Sequence, residues 1–155
     1  IFNHAMMKGA LFMALAAVMY RVGATRIESL RGLGRKMPLT MAAITISGLS
    51  LSGVPGTAGF ISKWYLVTAT IEAGLWPFAL LVLLGSFMAL IYIGRILEAA
   101  YFGEFRGSSD VREAPWSMLI PILILAGANI YFGLHTELSF GLADRATAAL
   151  METLP

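Results

Sequence analysis

The 155-residue chain contains no cysteine, which excludes disulfides, thiolate metal sites and cysteine nucleophiles from its chemistry. It is also short of charge. Asp, Glu, Lys and Arg make up 13% of it, against roughly 25% in an ordinary soluble domain. The 11 basic residues barely outnumber the 9 acids and are not massed for nucleic acid, which is not expected as a partner. There is no P-loop, no dinucleotide fingerprint and no metal-ligand cluster, so no cofactor or metal is expected. Redox or hydrolytic chemistry has nothing to stand on. What the chain has is apolar surface, 58% of its residues, and the lipid bilayer is therefore its first expected partner. Neither a positive n-region nor a small-residue cleavage site precedes the first apolar run, which excludes a signal peptide. An opening at Ile1, already inside that run, reads as the C-terminal part of a longer protein entered partway along a helix.

The apolar runs predict an all-α integral membrane bundle with about four spans. The first covers residues 1–20, about 30 Å at 1.5 Å per residue and enough for one hydrocarbon core. The second covers 39–73, about 50 Å if wholly helical, too long for one straight span. The third and fourth cover 76–102 and 116–134. Residues 135–155 then repeat apolar positions at Leu138, Leu142, Ala146 and Leu150, the pattern of an interfacial amphipathic helix. The connectors decide whether 39–73 crosses once or twice. Arg21, Arg26, Arg31, Arg35 and Lys36 precede it, and Arg106 and Arg112 lie in the connector after the third span. One crossing puts all seven on one side, which the positive-inside rule makes cytoplasmic. The tail then faces outside, in a multi-pass protein of the cell's inner (plasma) membrane.

The long run contains its own interruption, "GVPGTAGFISKW" at residues 53–64. Gly53, Pro55, Gly56 and Gly59 break the helix within 53–59, because proline lacks an N–H and glycine accepts strained dihedrals. Transporters build ion sites from such broken helices, whereas an ordinary proline kink is the plainer alternative. Lys63 tilts the balance. An ammonium deep in a bilayer costs at least about 2.5–3.5 kcal/mol, so it is expected to face a hydrated cavity or an acidic partner. A lysine so placed can gain and lose a proton, which suits a relay. The hydroxyls of Ser50, Ser52, Thr57 and Ser62 are candidates to hold water beside it.

A second constellation lies in "NHAMMKGALF", residues 3–12. His4 and Lys8 are four apart and share a helix face. Histidine titrates near neutral pH, so the pair reads as steps on a proton wire. A packed histidine near a helix end is the alternative for His4. Arg95 and Glu98 read as an ion pair or interface anchors at the end of the third span. Asn129 suits a hydrogen bond between helices, and His135 lies just past the last span.

These stretches also carry a family resemblance. "NHAMMKGALF", "GLGRKMPLT" and "LSLSGVPGTAGFISKWYL", in that order, resemble the proton-translocating antiporter-like membrane subunits. That family comprises subunits L, M and N of respiratory complex I and the large subunits of Mrp-type sodium/proton antiporters. The wording is most similar to the D-type large component of the Mrp antiporters, and the likeness runs over residues 1–102. It implies a fourteen-helix fold of two inverted repeats, each with a broken helix, the second of which lies in this chain. It implies that His4, Lys8 and Lys63 carry protons. Some members have Glu where this chain has Lys63. It further implies a proton-conducting subunit that exchanges protons for Na+ or another monovalent cation among other membrane subunits. The rivals are a redox-driven pump subunit of complex I or a membrane-bound hydrogenase, and a scaffold that moves no ion.

Overall fold

The computed structural model describes residues 1–105, 110–136 and 141, and every regular element among them is helical. The chain is an all-α membrane bundle. Three helices are long and apolar enough to cross a bilayer: α1 (Phe2–Val22), α5 (Trp76–Phe102) and α6 (Trp116–Leu134). Between them lie a 3-10 turn (Ile27–Leu30), the short α2 (Leu33–Lys36), and the pair α3 (Pro38–Ser52) and α4 (Ala58–Glu72). The amphipathic stripe read at Leu138, Leu142, Ala146 and Leu150 lies outside the described residues.

Local chemistry sets the ends. Gly23, at φ 76°, closes α1 by donating its N–H to the Met19 carbonyl. Pro38 opens α3, where its missing N–H removes no helical bond. Gly53, at φ 86°, closes α3 in the left-handed region. The interruption spans 53–57 and is shorter than the expected 53–59. Gly59 already belongs to the first turn of α4, where a Cβ would overlap the Ser50 carbonyl. That glycine serves close approach between the two half-helices and leaves the unwinding to Gly53 and Gly56.

α1 packs against α3 and α6 through small residues. Ala10, Ala14 and Ala17 are fully buried, with Met41, Ile44 and Ile122 in the same core. Small side chains let helices approach closely where lipid supplies no hydrophobic drive.

Loop contacts fix how the chain crosses the bundle. Gly32 donates its N–H to the Ala99 carbonyl at 3.0 Å. The Glu113 carboxylate accepts the Leu39 N–H at 2.7 Å and the Thr40 hydroxyl at 2.6 Å. The connectors before α3 and after α5 therefore share one end of the bundle. The α4–α5 turn joins two helices that pack against each other, and α3 and α4 are packed together as well. Among the described residues the outer faces of α4 and α5 stay uncovered, with Trp64, Leu81, Leu84 and Phe87 all exposed.

Candidate functional site

A helix leaves its last four carbonyls without intrahelical partners, and in an apolar bundle each needs another donor. In α3 all four are accounted for. The Gly53 N–H reaches the Leu49 and Ser50 carbonyls at 3.1 and 3.0 Å, and Val54 N–H adds a second bond to Leu49. The Leu51 and Ser52 carbonyls are taken by the Lys63 ammonium, at 2.9 and 3.0 Å. A single lysine, eleven and twelve residues downstream, thus finishes the half-helix that the break has opened. It also sits at the negative end of the α3 dipole, where a cation is favoured.

Gly53 makes room for that lysine. A Cβ there would stand 2.8 Å from Lys63 Cδ, so the lysine side chain crosses directly over the glycine. Lys63 has no acidic partner among the described residues. Of the two surroundings weighed from sequence, a cavity and an acidic partner, the described residues supply the cavity and no carboxylate, with the backbone carbonyls in addition.

The start of α4 is tied down from three sides. Thr57 donates its hydroxyl to the Val54 carbonyl at 2.7 Å, closing the loop on itself. Ser50 Oγ accepts the Gly59 N–H at 3.2 Å and donates to Asn129 Oδ1 of α6 at 3.2 Å. Asn3 Nδ2 of α1 donates to the Ala58 carbonyl at 3.2 Å and to Ser62 Oγ at 2.9 Å. Ser62 donates its own hydroxyl to the Ala58 carbonyl at 3.2 Å, and of Thr57 and Ser62, both expected to hold water, it is Ser62 that lines open space.

That space is a cavity of about 320 Å³ between α1, α3, α4 and α5. His4, Ser62 and Lys63 are its polar side chains, and Met7, Leu51 and Gly59 line it as well. A water molecule occupies about 30 Å³ of liquid, so several fit. The structure brings His4 and Lys63 to one cavity from residues far apart in sequence. Lys8 is not on that wall. It is exposed one turn along α1, its ammonium 5.5 Å from the centre of the Phe12 ring.

The remaining candidates lie elsewhere. Of the two readings of Arg95 and Glu98, an ion pair or interface anchors, the pair is not formed among the described residues. With Glu28 and Arg31 they line a separate cavity of about 380 Å³ at the connector end. His135 stacks on Tyr131, ring centroids 4.8 Å apart. Sequence reasoning missed Asn3 and Glu113. Asn3 stood in the same quoted motif as His4, and an amide in an apolar helix was the signal available. Glu113 gave none, since its partners are more than seventy residues away.

The sequence matches the profile of the NADH:quinone oxidoreductase/Mrp antiporter transmembrane family over residues 1–89. It is 37% identical over 150 residues to NADH-quinone oxidoreductase subunit N of Desulforudis audaxviator, covering 88% of this chain and 30% of that protein. It is 32% identical over 162 residues to Na(+)/H(+) antiporter subunit A1 of Staphylococcus haemolyticus, covering 96% of this chain and 20% of that one. The chain therefore spans a third or less of these curated relatives. In fold it is similar to a chain of the Mrp complex from Dietzia sp. DQ12-45-1b, with TM-score 0.79, 23% identity, and 88% and 34% of the two chains covered. It is also similar to a chain of an archaeal membrane-bound sulfane sulfur reductase, with TM-score 0.75, 38% identity, and 84% and 22% covered.

Proposed function

The chain belongs to the NADH:quinone oxidoreductase/Mrp antiporter transmembrane family, and we propose that its broken helix carries protons within a multisubunit membrane complex. The observation behind this reading is the Lys63 ammonium held by the Leu51 and Ser52 carbonyls, on one cavity with His4. Carbonyls stabilise the charged lysine without neutralising it by ion pairing. The ammonium can leave them for water in the cavity and return after losing and regaining a proton. His4 lines the same cavity from α1 and serves as the next acceptor. Lys8 continues the path along α1, with its partner supplied by helices outside this chain. The break lies about 22 Å along the crossing from Pro38, within one hydrocarbon thickness of about 30 Å.

The exchange partner we propose is Na+ or another monovalent cation, in line with the Staphylococcus haemolyticus relative and with the motif likeness to the D-type Mrp component. The 37% identity to a subunit N and the likeness to a chain of the sulfane sulfur reductase favour a second reading, in which a redox complex drives the same path. Sodium-dependent proton flux without electron donor separates the two. In either case the arginine-rich connectors face the cytoplasm, and the chain supplies the second broken helix of an inverted-repeat bundle.

The test is proton flux in inverted vesicles carrying the full-length protein in its complex. Lys63→Met keeps most of the side chain's length without its charge, and flux is expected to vanish while assembly on a native gel persists. Lys63→Ala is expected to match it. Wild-type flux from assembled Lys63→Met would sink the proposal. Failure of that variant to assemble would leave Lys63 a purely structural cap of α3 and favour the scaffold. Lys8→Ala is expected to lower flux with assembly intact, and His4→Ala to lower it less, since water bridges a gap of one group.

A further inference from the structure

Two asparagines from flanking helices converge on the break. Asn3 of α1 is 8% exposed and Asn129 of α6 is fully buried. An amide is a costly choice at such positions. Burying it without full hydrogen bonding loses more than the bonds it makes return. Asn3 Oδ1 has no partner among the described residues, so a leucine of similar size would avoid that loss. Stability alone does not account for Asn3.

Their partners give the reason. Asn3 holds the Ala58 carbonyl and Ser62 Oγ, both in the opening turns of α4. Asn129, itself braced on the Leu125 carbonyl at 2.9 Å, accepts from Ser50 Oγ, which in turn accepts the Gly59 N–H. Ser50 directly precedes Leu51 and Ser52, the residues whose carbonyls hold Lys63. Gly59 lies one helical turn before Lys63. The two amides therefore fix the end of α3 against the start of α4 at the place where the lysine must meet its carbonyls. Gly53 and Gly56 give the five-residue loop freedom that the fixed φ of Pro55 removes at one position only. A slip of about 1 Å between the half-helices stretches a bond of about 2.9 Å past the useful range.

We propose that Asn3 and Asn129 are positioning residues for Lys63: together they clamp the two half-helices so that its ammonium lies on the Leu51 and Ser52 carbonyls. This rests on the reading of Lys63 as the proton carrier. Neither asparagine handles the proton.

The experiment compares variants of the full-length protein in its complex, by proton flux in inverted vesicles across a range of pH, with assembly followed on native gels. Lys63→Met runs in parallel. Asn129→Leu and Asn3→Leu are each expected to assemble, to lose about fivefold to tenfold in flux, and to displace the flux–pH profile, because a lysine off its carbonyls titrates differently. Asn129→Asp keeps the acceptor for Ser50, and in its neutral form still donates to Leu125, so it is expected to restore most of the flux and the original profile. If Asn129→Leu does not assemble, Ser50→Ala decides, since it cuts the same link with a smaller change. Reduced flux there supports the clamp and wild-type flux overturns it. Inactive Lys63→Met alongside leucine variants with wild-type flux and profile overturns the clamp alone. Reduced flux with an unmoved profile and no rescue by Asn129→Asp also overturns it. Wild-type flux from Lys63→Met overturns the proton-carrier reading, and the clamp with it.

Discussion

Gly53 and Gly56 differ in one respect that matters. Both sit at positive φ, 86° and 85°. A Cβ on Gly56 meets nothing within 4 Å, whereas one on Gly53 meets Lys63. Alanine at either position forces a left-handed backbone that costs about 1–2 kcal/mol, but only Gly53→Ala also displaces the lysine. Both variants are expected to lower the unfolding midpoint in detergent by similar amounts, and Gly53→Ala alone to lose most of its proton flux. Equal flux from the two would mean that the lysine does not need its present seat. Lys63→Glu is also expected to fall below wild type. A carboxylate cannot donate to the Leu51 and Ser52 carbonyls, so the variant works only when protonated or swung away. Lys63 was legible in the sequence because a cation in an apolar run demands an explanation. Its partners were not legible, since every residue carries a carbonyl and no side chain marks which two will be free.

At the scale of the element, α3 is a short helix whose start depends on a distant residue. Pro38 contributes no N–H, and the Leu39 amide and Thr40 hydroxyl go to Glu113, from the loop before α6. Glu113→Ala leaves the Leu39 donor without that acceptor and removes a carboxylate from the positive end of the helix. The expected loss is about 1–2 kcal/mol of stability, read as a lower heat-unfolding midpoint of the purified complex. Glu113→Gln keeps an acceptor and is expected to fall between. An unchanged midpoint in both variants would show that the cap contributes nothing measurable. The half-helices were readable from their length and from the glycines and proline between them. The cap was not, because a glutamate in a loop of mixed charge looks like any solvated residue until the chain folds back more than seventy positions.

For the whole molecule, the positions of the arginines are the ground for proposing a single crossing by 38–73, and the loop contacts of Gly32 and Glu113 place both connectors at one end. The absence of cysteine makes labelling clean. Single cysteines at Glu28 and Glu104 are expected to react from the cytoplasmic face, and one at Glu72 only from outside. Labelling of Glu104→Cys solely from outside would mean that 38–73 crosses twice. The apolar outer faces of α4 and α5 were not distinguishable in sequence from the buried ones, because in lipid both are built from the same residues.

The same α3 is gripped at its two ends by opposite charges. A carboxylate sits where its amides point, and an ammonium where its carbonyls point. The peptide dipoles amount to about half an elementary charge at each pole, and about 22 Å separates the poles. While the lysine holds its proton, the rod and its two end charges sum to zero. When the proton leaves, the inner pole is bare and the carboxylate at the far end becomes the net charge of the whole segment. On the proposed role of Lys63, each proton it gives up would be felt as a changed electric field at the connector loops, before any atom between the two ends had moved.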